Sequence, residues 1–152
     1  MADPFSTHQQ MLVRYLLRST GPILELGCGG YSTPIIHEFA VEQRRKATTV
    51  DTDLWWIKQF ESLQSPMHDI RHIVEWDDWI VEGPYGIAFI DHAPAERREI
   101  DIRRLIGVAD YFVMHDSEEP AYGYRHIINQ VEHLETDSSI VPWTTAARSF
   151  HQ

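Results

Sequence analysis

The chain has 152 residues, a formal net charge of −10 and a pI of about 5.2. This length suits one domain with its own core, so residues 1–152 are predicted to form a single domain. An acidic surface repels phosphate backbones, which argues against a nucleic-acid partner. No apolar run approaches the length that a bilayer span needs, which argues against a membrane partner.

The predicted elements alternate between strand and helix along the chain. A leading helix at about 7–18 is followed by strands at about 22–27, 48–51, 70–75, 86–91 and 110–115. Helices are expected between and after them, at about 34–46, 53–64, 94–107 and 120–133, and a hairpin at about 134–141 and 143–150 ends the chain. This order predicts the α/β class: a Rossmann-like, doubly wound, mostly parallel sheet whose C-terminal hairpin adds one antiparallel strand.

The first predicted strand runs directly into a glycine-rich turn. Gly27, Gly29 and Gly30 follow the apolar strand, and Thr33-Pro34 then opens a helix. Glycines let a backbone turn sharply and approach a ligand closely, so this turn predicts a nucleotide-type cofactor loop. The third glycine of the dinucleotide pattern would stand at position 32, which is a serine, and this disfavours a nicotinamide oxidoreductase.

The turn also contains Cys28, the only cysteine of the chain. No intrachain disulfide can form, which indicates a reducing compartment. The first four residues have neither the basic nor the apolar region of a secretory signal. We therefore expect a cytoplasmic protein, with Cys28 placed in the loop for its small size.

The second predicted strand ends at Asp51, 24 residues after Gly27. Cofactor-binding α/β folds place the acid that binds the ribose hydroxyls at about this spacing. Asp51 is therefore the candidate ribose ligand, with helix capping by Asp51 or Asp53 as the structural alternative.

Polar residues also follow the fourth and fifth strands. Asp91 and His92 end one apolar run, and His115 and Asp116 end the next. Parallel strands present their carboxyl ends at one edge of the sheet, where ligands bind, so these four residues are expected to converge in one cleft. An imidazole exchanges protons near neutral pH, which makes His92 and His115 the candidate bases, and Asp91 completes the set of candidate catalytic residues.

With these motifs, residues 21–150 resemble the class I S-adenosylmethionine-dependent methyltransferases, and most of all the catechol- and sugar-type O-methyltransferases. The resemblance rests on Glu25-Leu26-Gly27, Gly30-Tyr31-Ser32 and Ile90-Asp91-His92. It implies O-methylation of a hydroxylated small molecule or sugar. It further implies two sets of residues: S-adenosylmethionine contacts by Glu25, Gly27, Gly29, Gly30, Tyr31, Asp51, Trp76 and Asp77, and a divalent metal held by Asp91, His115 and Asp116.

Two departures from that pattern leave alternatives open. Pro94 stands where the catechol group has its general-base lysine. His115 replaces a carboxylate at the metal pair, and imidazole suits zinc, iron or nickel better than magnesium. His115 is therefore a ligand to such a metal, or the base itself, or part of a site without metal.

The chain also lacks the long N-terminal extension that covers the acceptor site in the catechol group. The acceptor site is then open to a large substrate, or it is closed by a second copy or another partner chain, or by the loop at 117–124 with its two tyrosines. A non-catalytic S-adenosylmethionine-binding subunit is the alternative function.

Overall fold

The computed structural model describes residues 3–150, which form a seven-stranded sheet. The strands are β1 (Ile23–Leu26), β2 (Ala47–Asp51), β3 (His68–His72), β4 (Tyr85–Ile90), β5 (Ala109–His115), β6 (Val131–Asp137) and β7 (Thr144–Ser149). Their order across the sheet is β3-β2-β1-β4-β5-β7-β6. Strands β1 to β5 pair in parallel, and β7 is antiparallel to both β5 and β6. The predicted Rossmann-like sheet with a C-terminal antiparallel hairpin is confirmed.

Residues 3–150 contain four α-helices, of which the first precedes β1 and the other three each connect two parallel strands. They are α1 (Gln9–Arg18), α2 (Thr33–Gln43), α3 (Leu54–Phe60) and α4 (Ala95–Leu105). Pro34 lies in the first turn of α2, and the carboxylate of Asp53 caps α3 by accepting the Trp55 amide at 2.9 Å. Among residues 3–150, no helix combines the length and the apolar character that crossing a bilayer requires.

The core lies on both faces of the sheet. On one face, α1 and α2 bury an apolar stripe against β1, β4 and β5. On the other, α4 packs its apolar residues with two buried tryptophans, Trp76 and Trp79. Every residue of β1 and β4 is buried, as expected for central strands of a parallel sheet. The carboxyl ends of β1, β4 and β5 therefore lie next to one another at one end of the sheet, and none of these three strands is an outermost strand.

The helix predicted at 120–133 is wrong. The segment forms two short 3-10 turns, Pro120–Tyr122 and Tyr124–His126, before β6 begins at Val131. Gly123 separates the turns in the left-handed region at φ 71°, where an added Cβ would collide with the carboxylate of Glu99. The chain therefore reverses here instead of continuing a helix.

The remaining differences lie at element ends. β3 covers 68–72 rather than 70–75, and the hairpin strands cover 131–137 and 144–149 rather than 134–141 and 143–150. The helix predicted at 53–64 is α3 followed by one 3-10 turn.

Candidate active site

A cleft of about 500 Å³ opens at the carboxyl edge of the sheet. The glycine loop after β1 and the ends of β4 and β5 line it together, and the N-terminal turn closes one side. The loop and the two strand ends contribute Cys28, Gly29, Gly30, Tyr31, Asp91, His115 and Asp116. The predicted cofactor loop and three of the four predicted polar strand-end residues thus share one cleft.

Two glycines of the loop have different roles. Gly27 adopts φ 92°, and a Cβ there would lie 2.7 Å from the carbonyl oxygen of Asp91, so only glycine lets the loop pass this close to the end of β4. A Cβ on Gly30 would meet no described atom within 4 Å. Gly27 is thus required by packing within the fold, whereas Gly30 adjoins open space of the cleft.

Glu25 lies beneath the loop rather than in the cleft. Its carboxyl group has no exposed surface and accepts hydrogen bonds from the hydroxyls of Ser32, of Thr33 at 3.0 Å and of Thr49 at 2.8 Å. Burial raises the pKa of Glu25 to about 8 despite these donors. The expected contact of Glu25 with a cofactor is therefore replaced by a supporting role, because three hydroxyls take up its oxygens.

Asp51 lies at the end of β2, beside the loop. One carboxylate oxygen accepts the amide of Cys28 at 2.8 Å, and the other accepts the amide of Asp53 at 2.9 Å. Burial raises the pKa of Asp51, and these amides oppose the shift. Its contact with a ribose remains a prediction.

Trp76 and Asp77, expected beside an adenine, lie in contrasting surroundings. Trp76 is buried, donates its indole N–H to the carbonyl of Ala93 at 2.8 Å and packs 4.4 Å from the ring of His92. This places Trp76 in the core and not on the cleft. Asp77 is exposed and pairs with Arg97 at 2.8 Å, so its contact with an adenine remains a prediction.

His92 does not face the cleft, and its predicted place with Asp91, His115 and Asp116 is wrong. Its Nε2 lies 2.9 Å from Oδ2 of Asp101, and the side chain has no exposed surface. Burial lowers the pKa of His92. Consecutive residues of an extended segment point to opposite sides, so Asp91 enters the cleft while His92 turns toward α4.

Asp91 and His115 form a hydrogen-bonded pair in the cleft. Nδ1 of His115 lies 3.2 Å from Oδ1 of Asp91, and Nε2 lies 3.0 Å from the hydroxyl of Thr7. A carboxylate on one ring nitrogen fixes the orientation of the imidazole. The Thr7 hydroxyl lies within hydrogen-bond distance of the other nitrogen and donates its own proton to the carbonyl of Pro142 at 2.9 Å, so a hydroxyl oxygen can approach Nε2 of His115.

His8 joins this pair, although the sequence interpretation missed it. Its ring centroid lies 4.7 Å from that of His115, and candidate ligand atoms of His8, Asp91 and His115 all lie within 4.8 Å of one another. Nδ1 of His8 is buried and has no hydrogen-bond partner among residues 3–150. Burial and the neighbouring His115 lower the pKa of His8 to about 4, so its ring is neutral at pH 7. The helical spacing from His8 to Met11, Leu12 and Tyr15 puts His8 on the same face as these three residues. This spacing is the sequence signal that could have predicted its burial.

Arg98 is the second residue that was missed. It is 4% exposed and places its guanidinium 3.1 Å from Oδ1 of Asp91 and 3.1 Å from Oδ2 of Asp116. Its spacing to Ile102 and Leu105 puts it on the buried stripe of α4, where a charged residue is unusual and signals a specific role. The carboxylates predicted to hold a metal are instead bridged by this cation.

Cys28 lines the cleft, and burial raises the pKa of its thiol. The thiol is therefore protonated at neutral pH and is a poor nucleophile.

No protein-family model matches the sequence, and no curated protein matches it significantly. Solved structures do match its fold. A methyltransferase of Podospora anserina bound to S-adenosylhomocysteine gives a TM-score of 0.72 at 13% identity, over 99% of this chain and 89% of that one. An O-methyltransferase of Bacillus cereus with S-adenosylhomocysteine gives 0.70 at 13% identity, over 98% and 83%.

A third match is the O-methyltransferase TomG of Streptomyces achromogenes, which functions in tomaymycin synthesis and was solved with S-adenosylmethionine. It gives a TM-score of 0.67 at 14% identity, over 99% of this chain and 82% of that one. The chain thus has the fold of the S-adenosylmethionine-dependent O-methyltransferases.

Proposed function

We propose that the protein is an S-adenosylmethionine-dependent methyltransferase that methylates a hydroxyl oxygen of a small molecule or sugar. The observation that carries this proposal is the shared cleft: the glycine loop and the Asp91–His115 pair face the same space. A methyl donor and a group that deprotonates its acceptor must lie within one such space.

On the donor side, the loop residues Gly29, Gly30 and Tyr31 bind the cofactor, and Asp51 binds its ribose. When bound, S-adenosylmethionine supplies a methyl group on a positively charged sulfur. Asp91 and Asp116 bring two negative charges to the cleft against the one positive charge of Arg98. This excess of negative charge favours a cationic donor and disfavours anionic acceptors.

On the acceptor side, His115 is the base. The acceptor hydroxyl takes the place of the Thr7 hydroxyl as the partner of Nε2, and His115 removes its proton as the oxygen bonds to the methyl carbon. Asp91 stabilises the resulting imidazolium through Nδ1. The enzyme otherwise contributes alignment of the two reactants.

Local segments cover part of the cleft. Pro4 and Phe5 of the N-terminal turn, Tyr122 of the turn after β5 and Pro142 before β7 all line the cleft. The ring of Tyr122 lies over the guanidinium of Arg98, with the carbon of that group 3.9 Å from the ring centroid. These side chains offer an apolar and aromatic wall to a carbon-rich acceptor.

The second candidate is a non-catalytic subunit that binds the same cofactor. The observation in its favour is Pro94, which stands where the catechol-type O-methyltransferases have their general-base lysine. Pro94 is the N-cap of α4. Turnover of an acceptor separates the two candidates, since both bind S-adenosylhomocysteine.

The test is release of S-adenosylhomocysteine from S-adenosylmethionine with a panel of phenols, catechols and sugars. We expect wild-type turnover with at least one acceptor. His115→Gln should lower it by about 10²-fold or more and change cofactor affinity by less than about twofold. His133→Gln, which alters an exposed histidine of β6, is the matched control and should retain full activity.

Full turnover by His115→Gln would refute the assignment of the base. Cofactor binding without turnover of any acceptor would favour the non-catalytic subunit.

A further inference from the structure

Arg98 is bound by the ends of both strands that form the cleft. Its Nε donates to the carbonyl of His92 at 2.7 Å, and its Nη1 donates to the carbonyl of His115 at 3.0 Å. Tyr124 adds its hydroxyl at 3.2 Å from Nη1 and itself donates to the His115 carbonyl at 2.9 Å. These contacts hold the guanidinium in one position, because a buried planar cation with this many acceptors has little freedom.

The guanidinium lies between the two carboxylates that the resemblance assigns to a metal. Nη2 is 3.1 Å from Oδ1 of Asp91, and Nη1 is 3.1 Å from Oδ2 of Asp116. A divalent ion would need oxygens of both carboxylates at about 2.0–2.6 Å, which would bring it close to the fixed positive charge of Arg98. The residues present therefore do not accommodate a metal at Asp91 and Asp116.

The three-residue group of His8, Asp91 and His115 also adjoins this cation, because Asp91 belongs to both. Oδ1 of Asp91 is shared between Nη2 of Arg98 and Nδ1 of His115. An ion on this oxygen would displace a cation that two carboxylates, two carbonyls and a tyrosine hydroxyl hold in place.

We infer that Arg98 takes the place of the divalent metal, so that the guanidinium supplies the positive charge beside the acceptor oxygen and methyl transfer needs no metal ion. Nη2 carries two hydrogens and makes one hydrogen bond with the described part of the chain, to Asp91. Its second N–H is available to an oxygen in the cleft, which Arg98 lines. This inference rests on the proposed function.

The inference also narrows the acceptor class. A metal binds both oxygens of an adjacent diol, whereas one free N–H binds a single oxygen. We therefore expect acceptors with one isolated hydroxyl to be methylated as well as those with two neighbouring hydroxyls.

The experiment measures binding of Mn²⁺ by electron paramagnetic resonance and of Zn²⁺ by calorimetry, on folded wild-type protein saturated with S-adenosylhomocysteine. We expect wild-type protein to bind neither ion up to about 1 mM. Arg98→Ala leaves two carboxylates without their cation and should gain a Mn²⁺ site, which Arg98→Ala/Asp116→Asn should lose. Arg103→Ala, which removes an exposed arginine of the same helix, is the control and should gain none.

Stoichiometric binding of either ion by wild-type protein would overturn the inference, as would loss of methyl transfer in a chelator. A folded Arg98→Ala variant that gains no Mn²⁺ site would also overturn the inference that Arg98 takes the place of a metal. If Arg98→Ala fails to fold, the wild-type and chelator measurements still decide the question. Binding of S-adenosylhomocysteine is recorded on the same samples, so a failure of the proposed function is seen separately from a failure of the metal prediction.

Discussion

At the residue scale, the buried carboxyl group of Glu25 beneath the glycine loop makes the stability of the fold depend on pH. The folded protein retains the proton of Glu25 up to about pH 8 because the group is buried, whereas an unfolded glutamate releases it near its ordinary pKa of about 4.3. A raised pKa in the folded state means that the stabilising contribution is complete below the unfolded pKa and is lost as the pH rises through 8.

We therefore predict that the free energy of unfolding of wild-type protein, relative to Glu25→Gln, falls between pH 5 and pH 9 by up to about 1.4 kcal/mol per pH unit. Urea unfolding of both proteins across this range measures it. Glu42→Gln, which changes an exposed carboxylate on α2, should show no such trend. A pH-independent difference between wild type and Glu25→Gln would contradict the prediction.

The two loop glycines give a second residue-scale prediction. Gly27→Ala forces a Cβ against the end of β4 in a left-handed conformation, so it should destabilise the fold by about 2 kcal/mol or more. Gly30→Val should leave thermal stability nearly unchanged but weaken S-adenosylhomocysteine binding about tenfold or more, since its side chain projects into open space beside the loop. Calorimetry and thermal unfolding of both variants measure it. Equal effects of the two changes on folding would refute these assignments.

The positions of site residues could be predicted where polar residues directly follow an apolar strand in the sequence. Asp91, His115 and Asp116 follow apolar strands directly, so the edge of a parallel sheet places them together. Arg98 lies in α4 and His8 directly precedes α1, and the distances that bring these two residues to the pair depend on tertiary packing. His92 was misplaced because one step along an extended chain reverses the side-chain direction.

At the element scale, the connection between α1 and β1 depends on one arginine. Arg45 is buried and donates to the carbonyl of Gly21 at 2.7 Å, to the carbonyl of Leu16 at 2.8 Å and to the hydroxyl of Ser19 at 2.9 Å. Burial lowers the pKa of its guanidinium. The side chain of Arg45, a residue that precedes β2 in the sequence, thus fixes the start of β1 to the end of α1.

We predict that Arg45→Met lowers the free energy of unfolding by about 2–3 kcal/mol, because buried acceptors lose their donors. Lys46→Met, an adjacent change at an exposed position, should alter it by less than about 0.5 kcal/mol. Urea unfolding at pH 7 compares the two. If Arg45→Met lowers the free energy of unfolding no more than Lys46→Met does, these hydrogen bonds contribute little to stability.

The segment from 120 to 133 shows where element prediction fails. Tyr124, Ile127 and Val131 are buried at a spacing that suits a helix, yet Gly123 turns the chain into the left-handed region. These side chains instead pack onto the sheet from short turns and the first residue of β6. Local periodicity cannot distinguish these two arrangements, because both bury every third or fourth residue.

At the scale of the whole molecule, the sheet was predictable because its parallel strands are short, those at β1 and β4 are mostly apolar, and a connecting segment separates each from the next. The order of the strands places β1 inside the sheet next to β4, which brings the loop after β1 beside the ends of β4 and β5. On this arrangement we propose that the cleft at the carboxyl edge holds an adenosyl methyl donor.

Calorimetric titration of wild-type protein with S-adenosylhomocysteine tests this claim most directly, with NAD as the control ligand. We predict one bound S-adenosylhomocysteine per chain, at least about tenfold weaker binding by Gly30→Val and no binding of NAD. Failure of folded wild-type protein to bind S-adenosylhomocysteine or S-adenosylmethionine, or binding of NAD in their place, would contradict it.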